Sequence, residues 1–159
     1  MKRVIALLME NQPGALSRVV GLFSQRGYNI ESLIVAPTED PSLSRLTMTT
    51  HGDSEVVEQI TKQLNKLIDV VKVLDLSLEE YVGRELLLIK MEFSEKAEAE
   101  VSNLGGQVLF KDDNLLNVEF VGTSEELDEI VTLLAKLNPL EVVRTGLSGI
   151  SSTAKTLTI

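Results

Sequence analysis

The sequence predicts an α+β protein made of two successive β-α-β-β-α-β units, and three observations carry that prediction. The order of apolar runs, turn clusters and helical stripes in residues 1–78 begins again at residue 84. The strand-length run IALLME at 5–10 lines up with LLIKME at 87–92. The charge steps between the halves: residues 1–77 hold 8 Lys and Arg against 9 Asp and Glu, whereas residues 78–159 hold 7 against 15. Two units with different surfaces would produce such a step.

In the first unit, RVIALLM at 3–9 is an apolar run of strand length, closed by the turn cluster Glu10, Asn11, Gln12, Pro13 and Gly14. Leu16, Val19, Val20 and Phe23 then recur at i, i+3, i+4 and i+7, the stripe of an amphipathic helix that stops at Gly27. β-branched and apolar residues return over Tyr28–Ala36, and Pro37 and Pro41 bracket a turn into a second strand, Leu43–Thr50, so a hairpin is expected. Asp53 or Ser54 caps a helix whose Val56, Val57, Ile60, Leu64 and Leu67 keep the 3.6-residue period, and Val70–Leu76 closes the unit as a strand.

The second unit repeats the order. RELLLIKMEF at 84–93 is its first strand, and Ser94–Leu104 is a short helix with Ala97, Val101 and Leu104 as its apolar stripe, ended by Gly105 and Gly106. Gln107–Phe110 and Leu115–Val121 read as strands across the polar turn KDDN; Leu116, Val118 and Phe120 alternate with Asn117 and Glu119, as a strand with one buried face should. Thr123 and Glu126 have capping-box spacing before a helix with Leu127, Ile130, Val131, Leu134 and Leu137 in phase. Leu140–Arg144 ends the unit. The order is that of the ferredoxin-like split unit, a sheet with two helices on one face. The expected organisation is therefore a first domain at 1–78, a linker at 79–83 (EEYVG at 79–83), and a second ferredoxin-like domain at 84–159 with a Ser- and Thr-rich, mobile tail from Gly146.

Composition limits the function. A chain of 159 residues with 43% hydrophobic residues can bury a core. A net charge of -9 lacks the basic footprint that nucleic acid or an anionic membrane demands, so neither is expected as a partner. With no cysteine there is no disulfide framework or thiol nucleophile. The start MKRVIALLMENQPG has too short an apolar run for a secretory leader, and no run has the length of a membrane span. A cytoplasmic protein is the expectation.

Catalytic chemistry finds little support. The single His51, read as a surface-turn residue, has no second imidazole or thiol for a metal site, and no GxSxG nucleophile motif occurs. GxGxxG and GxxxxGK[ST] are also absent. Glu39 and Asp40 stand beside Pro41 in an exposed turn, and the carboxylates at 125–129 suit a helix start. No catalytic residue and no metal ligand is assigned.

The segment that carries specificity is ENQPGA at 10–15. A helix start with free backbone N–H groups suits a carboxylate, Gly14 permits close approach, and Asn11 offers a donor and an acceptor. The same residues also suit a plain Pro- and Gly-punctuated turn. A helix dipole contributes about 0.3 to 1 kcal/mol, whereas micromolar to millimolar binding needs roughly 4 to 8 kcal/mol. Further walls are needed: Asn29 could hydrogen-bond an amino acid headgroup and Ile30 could line an apolar pocket, although both also fit an ordinary helix end entering a strand.

These residues also resemble a family. NQPGALSRVVGLFSQRGYNIESLIVAPTEDPSLSRLTM, GDSEVVEQITKQLNKLIDVVKV, RELLLIKM and VVRTGLSG are similar, in order and spacing, to the small regulatory subunits of acetolactate synthase (acetohydroxyacid synthase), with the first unit resembling their ACT domain. The resemblance implies a subunit that is not an enzyme alone but part of a transferase holoenzyme. It would activate a catalytic subunit whose thiamine diphosphate, magnesium and FAD reside in that partner, and confer feedback inhibition by a branched-chain amino acid, usually valine. It implies a homodimer whose ACT domains pair side by side into one sheet. Asn11, Gln12, Pro13, Gly14 and Ala15 match the loop that holds the effector, and Asn29 and Ile30 match the wall supplied by the neighbouring protomer. Other readings are a free-standing amino acid sensor and a small ferredoxin-fold hydrolase such as an acylphosphatase; the latter needs an Arg in the loop after the first strand, which is absent here.

Overall fold

The computed structural model describes all residues, Met1–Ile159. Two mixed α/β units with antiparallel sheets are present. One comprises Met1–Val82 together with Leu147–Ile159, the other Gly83–Gly146.

In the first unit β1 (Lys2–Glu10), α1 (Ala15–Gln25), β2 (Ile30–Pro37), β3 (Leu43–His51), α2 (Ser54–Leu64) and β4 (Val70–Asp75) follow in turn, and the sheet order is β2-β3-β1-β4. β3 and β1 are the two interior strands, and β1 is apolar on both faces. Ile5, Leu7 and Met9 point toward the helices and pack with Val19 and Phe23 of α1 and Val57, Ile60 and Leu64 of α2. β2 is an edge strand, paired only with β3. Asp53, not Ser54, caps α2, its Oδ1 accepting from Val56 N–H at 2.9 Å.

The other face of β1 is covered by the end of the chain. Val4 and Ala6 pack with Leu76 of a single 3-10 turn and with Leu147 and Leu157. β9 (Ser148–Ser151) lies between these leucines in sequence and runs beside the start of β5 (Tyr81–Glu92), where Ser152 N–H donates to the Glu80 carbonyl at 3.0 Å. The Glu79 carboxylate holds the tail further, accepting from Thr153 Oγ1 at 2.8 Å, Ser151 Oγ at 3.1 Å and Lys155 Nζ at 3.3 Å. Sequence alone expects this tail to be mobile and to belong with the second domain; instead it returns to the first unit. The physical reason is that an apolar second face on β1 needs a cover, and two leucines ten residues apart provide it. The expected linker at 79–83 is likewise structured: β5 begins within it, at Tyr81.

The second unit continues β5 through α3 (Glu95–Asn103), β6 (Gln107–Lys111), β7 (Leu115–Gly122), α4 (Ser124–Leu134) and β8 (Glu141–Arg144), with sheet order β6-β7-β5-β8. Leu87, Ile89 and Met91 alternate inward to meet Leu116, Val118 and Phe120 under Ala97, Val101, Leu127 and Leu134. Both capping-box bonds of α4 are formed, Thr123 Oγ1 accepting from Glu126 N–H at 3.2 Å and Glu126 Oε2 from Thr123 N–H at 2.7 Å. Gly106 ends the helix turn against Phe120, where a Cβ would come within 2.5 Å of the ring.

Candidate effector site

The β1-α1 loop is braced from three sides. Asn11 donates its backbone N–H to the Ser42 carbonyl at 2.7 Å and its side-chain Nδ2 to the Pro41 carbonyl at 3.0 Å, so two amide hydrogens of one residue hold the loop to the β2-β3 turn. Ala15 N–H donates to the Gln12 carbonyl at 3.2 Å, closing a tight turn over Pro13 and Gly14. Gly14 occupies the helix N-cap at φ 85°, and no side chain caps α1. Left-handed backbone there favours glycine. Added bulk would also meet Arg18, whose Nη1 lies 3.0 Å from the place of a Cβ.

Asn11, Gln12, Pro13 and Gly14 are exposed, whereas Ala15 is buried with its methyl in the core. The loop therefore presents backbone and the Asn11 amide to solvent, and Ala15 contributes no side-chain surface. Arg18 is a residue that motif reasoning passed over, although it stands within the GALSRVV stretch. Its guanidinium bonds Asp69, with Nη2 2.9 Å from Oδ1 and Nε forming the second arm of the fork. The Asp69 backbone carbonyl accepts from Glu10 N–H at 2.8 Å. The bond from Arg18 holds the Asp69 carboxyl below its ordinary pKa of 3.8 and raises that of Arg18.

Asn29 and Ile30 lie elsewhere. Ile30 stands opposite Thr50, and the Asn29 carbonyl accepts from Thr50 Oγ1 at 2.6 Å. The register breaks after Ile30, and Glu31 Oε1 stands 2.7 Å from His51 Nδ1. His51 is the last residue of β3 rather than part of a free turn. Across the sheet, Glu10 pairs with Leu43 while Lys2 pairs with His51. The loop at 11–14 thus sits at one end of the sheet and Asn29 with Ile30 at the other, roughly 26 Å apart over eight strand residues. A single chain does not bring the two halves of the expected site together.

No group of three or more His, Asp or Glu side chains is placed to hold a metal ion, and no helix is long and apolar enough to cross a membrane.

Comparison with known proteins adds to this geometry. A family described as "AHAS small subunit-like ACT domain" matches residues 5–72, and one described as "Small subunit of acetolactate synthase" matches residues 84–153. The chain is 47% identical over 156 residues to the acetolactate synthase isozyme 3 small subunit of Escherichia coli (strain K12), covering 95% of this chain and 96% of that one. The chain belongs to the acetolactate synthase small-subunit family. The acetolactate synthase small subunit of Haemophilus influenzae is 43% identical over 162 residues, covering 99% of each chain. A crystal structure of the acetolactate synthase small subunit from Thermotoga maritima superposes with a TM-score of 0.88 at 31% identity, covering 98% of this chain and 99% of that one. The family's ACT segment contains the whole β1-α1 loop together with Asn29 and Ile30.

Proposed function

We propose that this chain is the non-catalytic regulatory subunit of an acetolactate synthase in the cytoplasm, activating the catalytic subunit and subjecting it to feedback inhibition by a branched-chain amino acid, valine in the first instance. Thiamine diphosphate, magnesium and FAD are assigned to the catalytic partner. The effector would bind at a dimer interface, its carboxylate at the uncapped start of α1 beside Gly14 and Asn11, and its apolar side chain against Ile30 of the partner subunit.

The observation that supports this reading is that the loop at 11–14 and the pair Asn29 and Ile30 lie at opposite ends of a sheet whose edge strand is β2. When two copies join edge to edge through β2 about a two-fold axis, the strands run antiparallel. The Ile30 end of one copy then meets the Pro37 end of the other, which is the end where Asn11 and Gly14 stand. Each dimer thereby gains two sites, each drawing its loop from one chain and its wall from the other. Several contacts act at once, which closes the energy gap left by one helix start. Effector binding and dimerisation become linked, since ligand that binds only the dimer stabilises it. Inhibition then follows if the bound dimer favours a less active arrangement of the catalytic partner.

The test is reconstitution. The purified chain should raise the acetolactate synthase activity of a catalytic subunit, and valine should reverse that rise. Gly14→Asp places a carboxylate where the effector carboxylate would sit and should abolish valine sensitivity while retaining activation. A chain that binds valine without activating any catalytic subunit would be a free-standing sensor, and unchanged inhibition in Gly14→Asp would remove the site.

A further inference from the structure

The face of the first sheet that looks away from the helices holds a cavity of about 550 Å³ between the strands and the returning tail, within the roughly 300 to 1,000 Å³ of small-molecule sites. It is separate from the β1-α1 loop, none of whose residues lines it. Leu8, Leu43 and Leu74 of the sheet and Leu157 of the tail give it an apolar lining. Arg45 enters from β3, where it stands directly across from Leu8 of β1 and Ala36 of β2.

Arg45 is half-buried and its one hydrogen bond runs from Nη2 to the Gly149 carbonyl at 2.8 Å. A guanidinium has five N–H donors, so most of its donors have no protein acceptor. Of the other charged side chains at the cavity, Lys155 and Asp40 have partners within the protein and Glu39 has none. Lys155 is paired with Glu79 at 3.3 Å. The Asp40 carboxylate accepts from Ser42 N–H at 2.9 Å and from Ser42 Oγ at 2.7 Å. Glu39 lines the rim without an ion-pair partner. Burial alone pulls the Arg45 pKa down, and no carboxylate offsets it. The tail is fitted closely at this point: Gly149 N–H approaches Thr47 Oγ1 at 3.4 Å, and a Cβ at Gly149 would come within 2.8 Å of Leu76.

We propose that this cavity is a second ligand site, on the tail-covered face of the ACT-domain sheet, for a short aliphatic monocarboxylate whose carboxylate is taken by Arg45 and whose hydrocarbon lies on Leu8, Leu43, Leu74 and Leu157. The Arg45 fork suits two carboxylate oxygens, and the four leucines suit a branched or linear chain of a few carbons. A 2-oxoacid and an amino acid share this chemistry. Glu39 at the rim would favour the form that carries an ammonium group.

The full-length chain, with its leucine methyls labelled for NMR, is titrated with isovalerate, L-valine, 3-methyl-2-oxobutanoate and isobutylamine. Shifts at the Leu43, Leu74 and Leu157 methyls are expected with the three carboxylates and not with the amine. Tighter binding of valine than of the oxoacid would identify the amino acid as the physiological type, and the reverse would identify the oxoacid. Arg45→Gln should weaken binding roughly 10- to 100-fold. Leu43→Ala, which leaves the guanidinium in place, is a second variant and should also weaken it. Gly14→Asp should leave these shifts intact, because it alters only the loop proposed for feedback inhibition. No shifts at millimolar isovalerate, equal shifts with isobutylamine, or loss of the shifts in Gly14→Asp would each overturn the proposal.

Discussion

Arg18 in the first turn of α1 is forked onto Asp69, with its Nη2 2.9 Å from Oδ1, and its guanidinium lies over Gly14. The same Asp69 receives Glu10 N–H on its backbone carbonyl. One ion pair therefore fixes the end of β1, the start of α1 and the entry to β4 in a single arrangement, and the β1-α1 loop is the segment spanned between them.

Asp69→Asn should loosen that loop without touching the core. The valine concentration for half-inhibition of the reconstituted synthase is expected to rise several-fold, with activation retained. The pH dependence has a definite sign. Because the bond from Arg18 lowers the folded pKa of Asp69, its stabilisation is fully present above the unfolded value of about 3.9 and is lost as pH falls through the folded value. Denaturation midpoints of wild type should decline across that acid range, and Asp69→Asn should flatten the decline.

Arg3 lies on the helix-facing side of β1, is 8% exposed, and its buried Nε has no hydrogen-bond partner. A buried donor left unpaired costs free energy. Arg3→Met keeps the apolar stem and removes the donor, and should stabilise the protein by about 1 kcal/mol in chemical denaturation.

Leu157 is 7% exposed and packs with Val4, Ala6 and Leu76. Leu157→Ala should cost about 2 kcal/mol. A tail that contributed nothing to the first unit would leave the denaturation midpoint unchanged.

Gly106 and Gly105 make a paired test in the second unit. Gly106→Ala drives a Cβ against Phe120 and Val101, 2.5 to 2.8 Å away, and should cost about 2 kcal/mol. Gly105→Ala meets nothing within 4 Å, but its φ of 80° strains any side chain, so its cost should be nearer 1 kcal/mol.

Both β-α-β-β-α-β units were legible because each element has a period. Val19 and Phe23 in α1, Val57 and Ile60 in α2, and the alternation of Leu116, Val118 and Phe120 all fall where the burial puts them. The return of the tail was not legible. Leu147 and Leu157 stand in a Ser- and Thr-rich stretch with no helical or strand period, and their burial depends on a sheet face formed 140 residues earlier in the chain. The β1-α1 loop was visible from Asn11, Pro13 and Gly14, since turn chemistry is local. Its brace was not, because Arg18 and Asp69 are 51 residues apart and an arginine on a helix reads as solvated surface until its partner is known. That Asn29 and Ile30 lie at the far end of the sheet from that loop follows only from strand register, which the hairpin β2-β3 sets.

Each effector site is proposed to take its loop from one chain and its wall from another. Gly14→Asp and Asn29→Ala chains, coexpressed with different tags and purified as the mixed dimer, test it most directly. One site of that dimer carries both substitutions and the other carries neither, so valine sensitivity, lost in each homodimer, should return to the reconstituted acetolactate synthase with one intact site per dimer. A mixed dimer as insensitive to valine as its parents would rule out a site shared between the two chains.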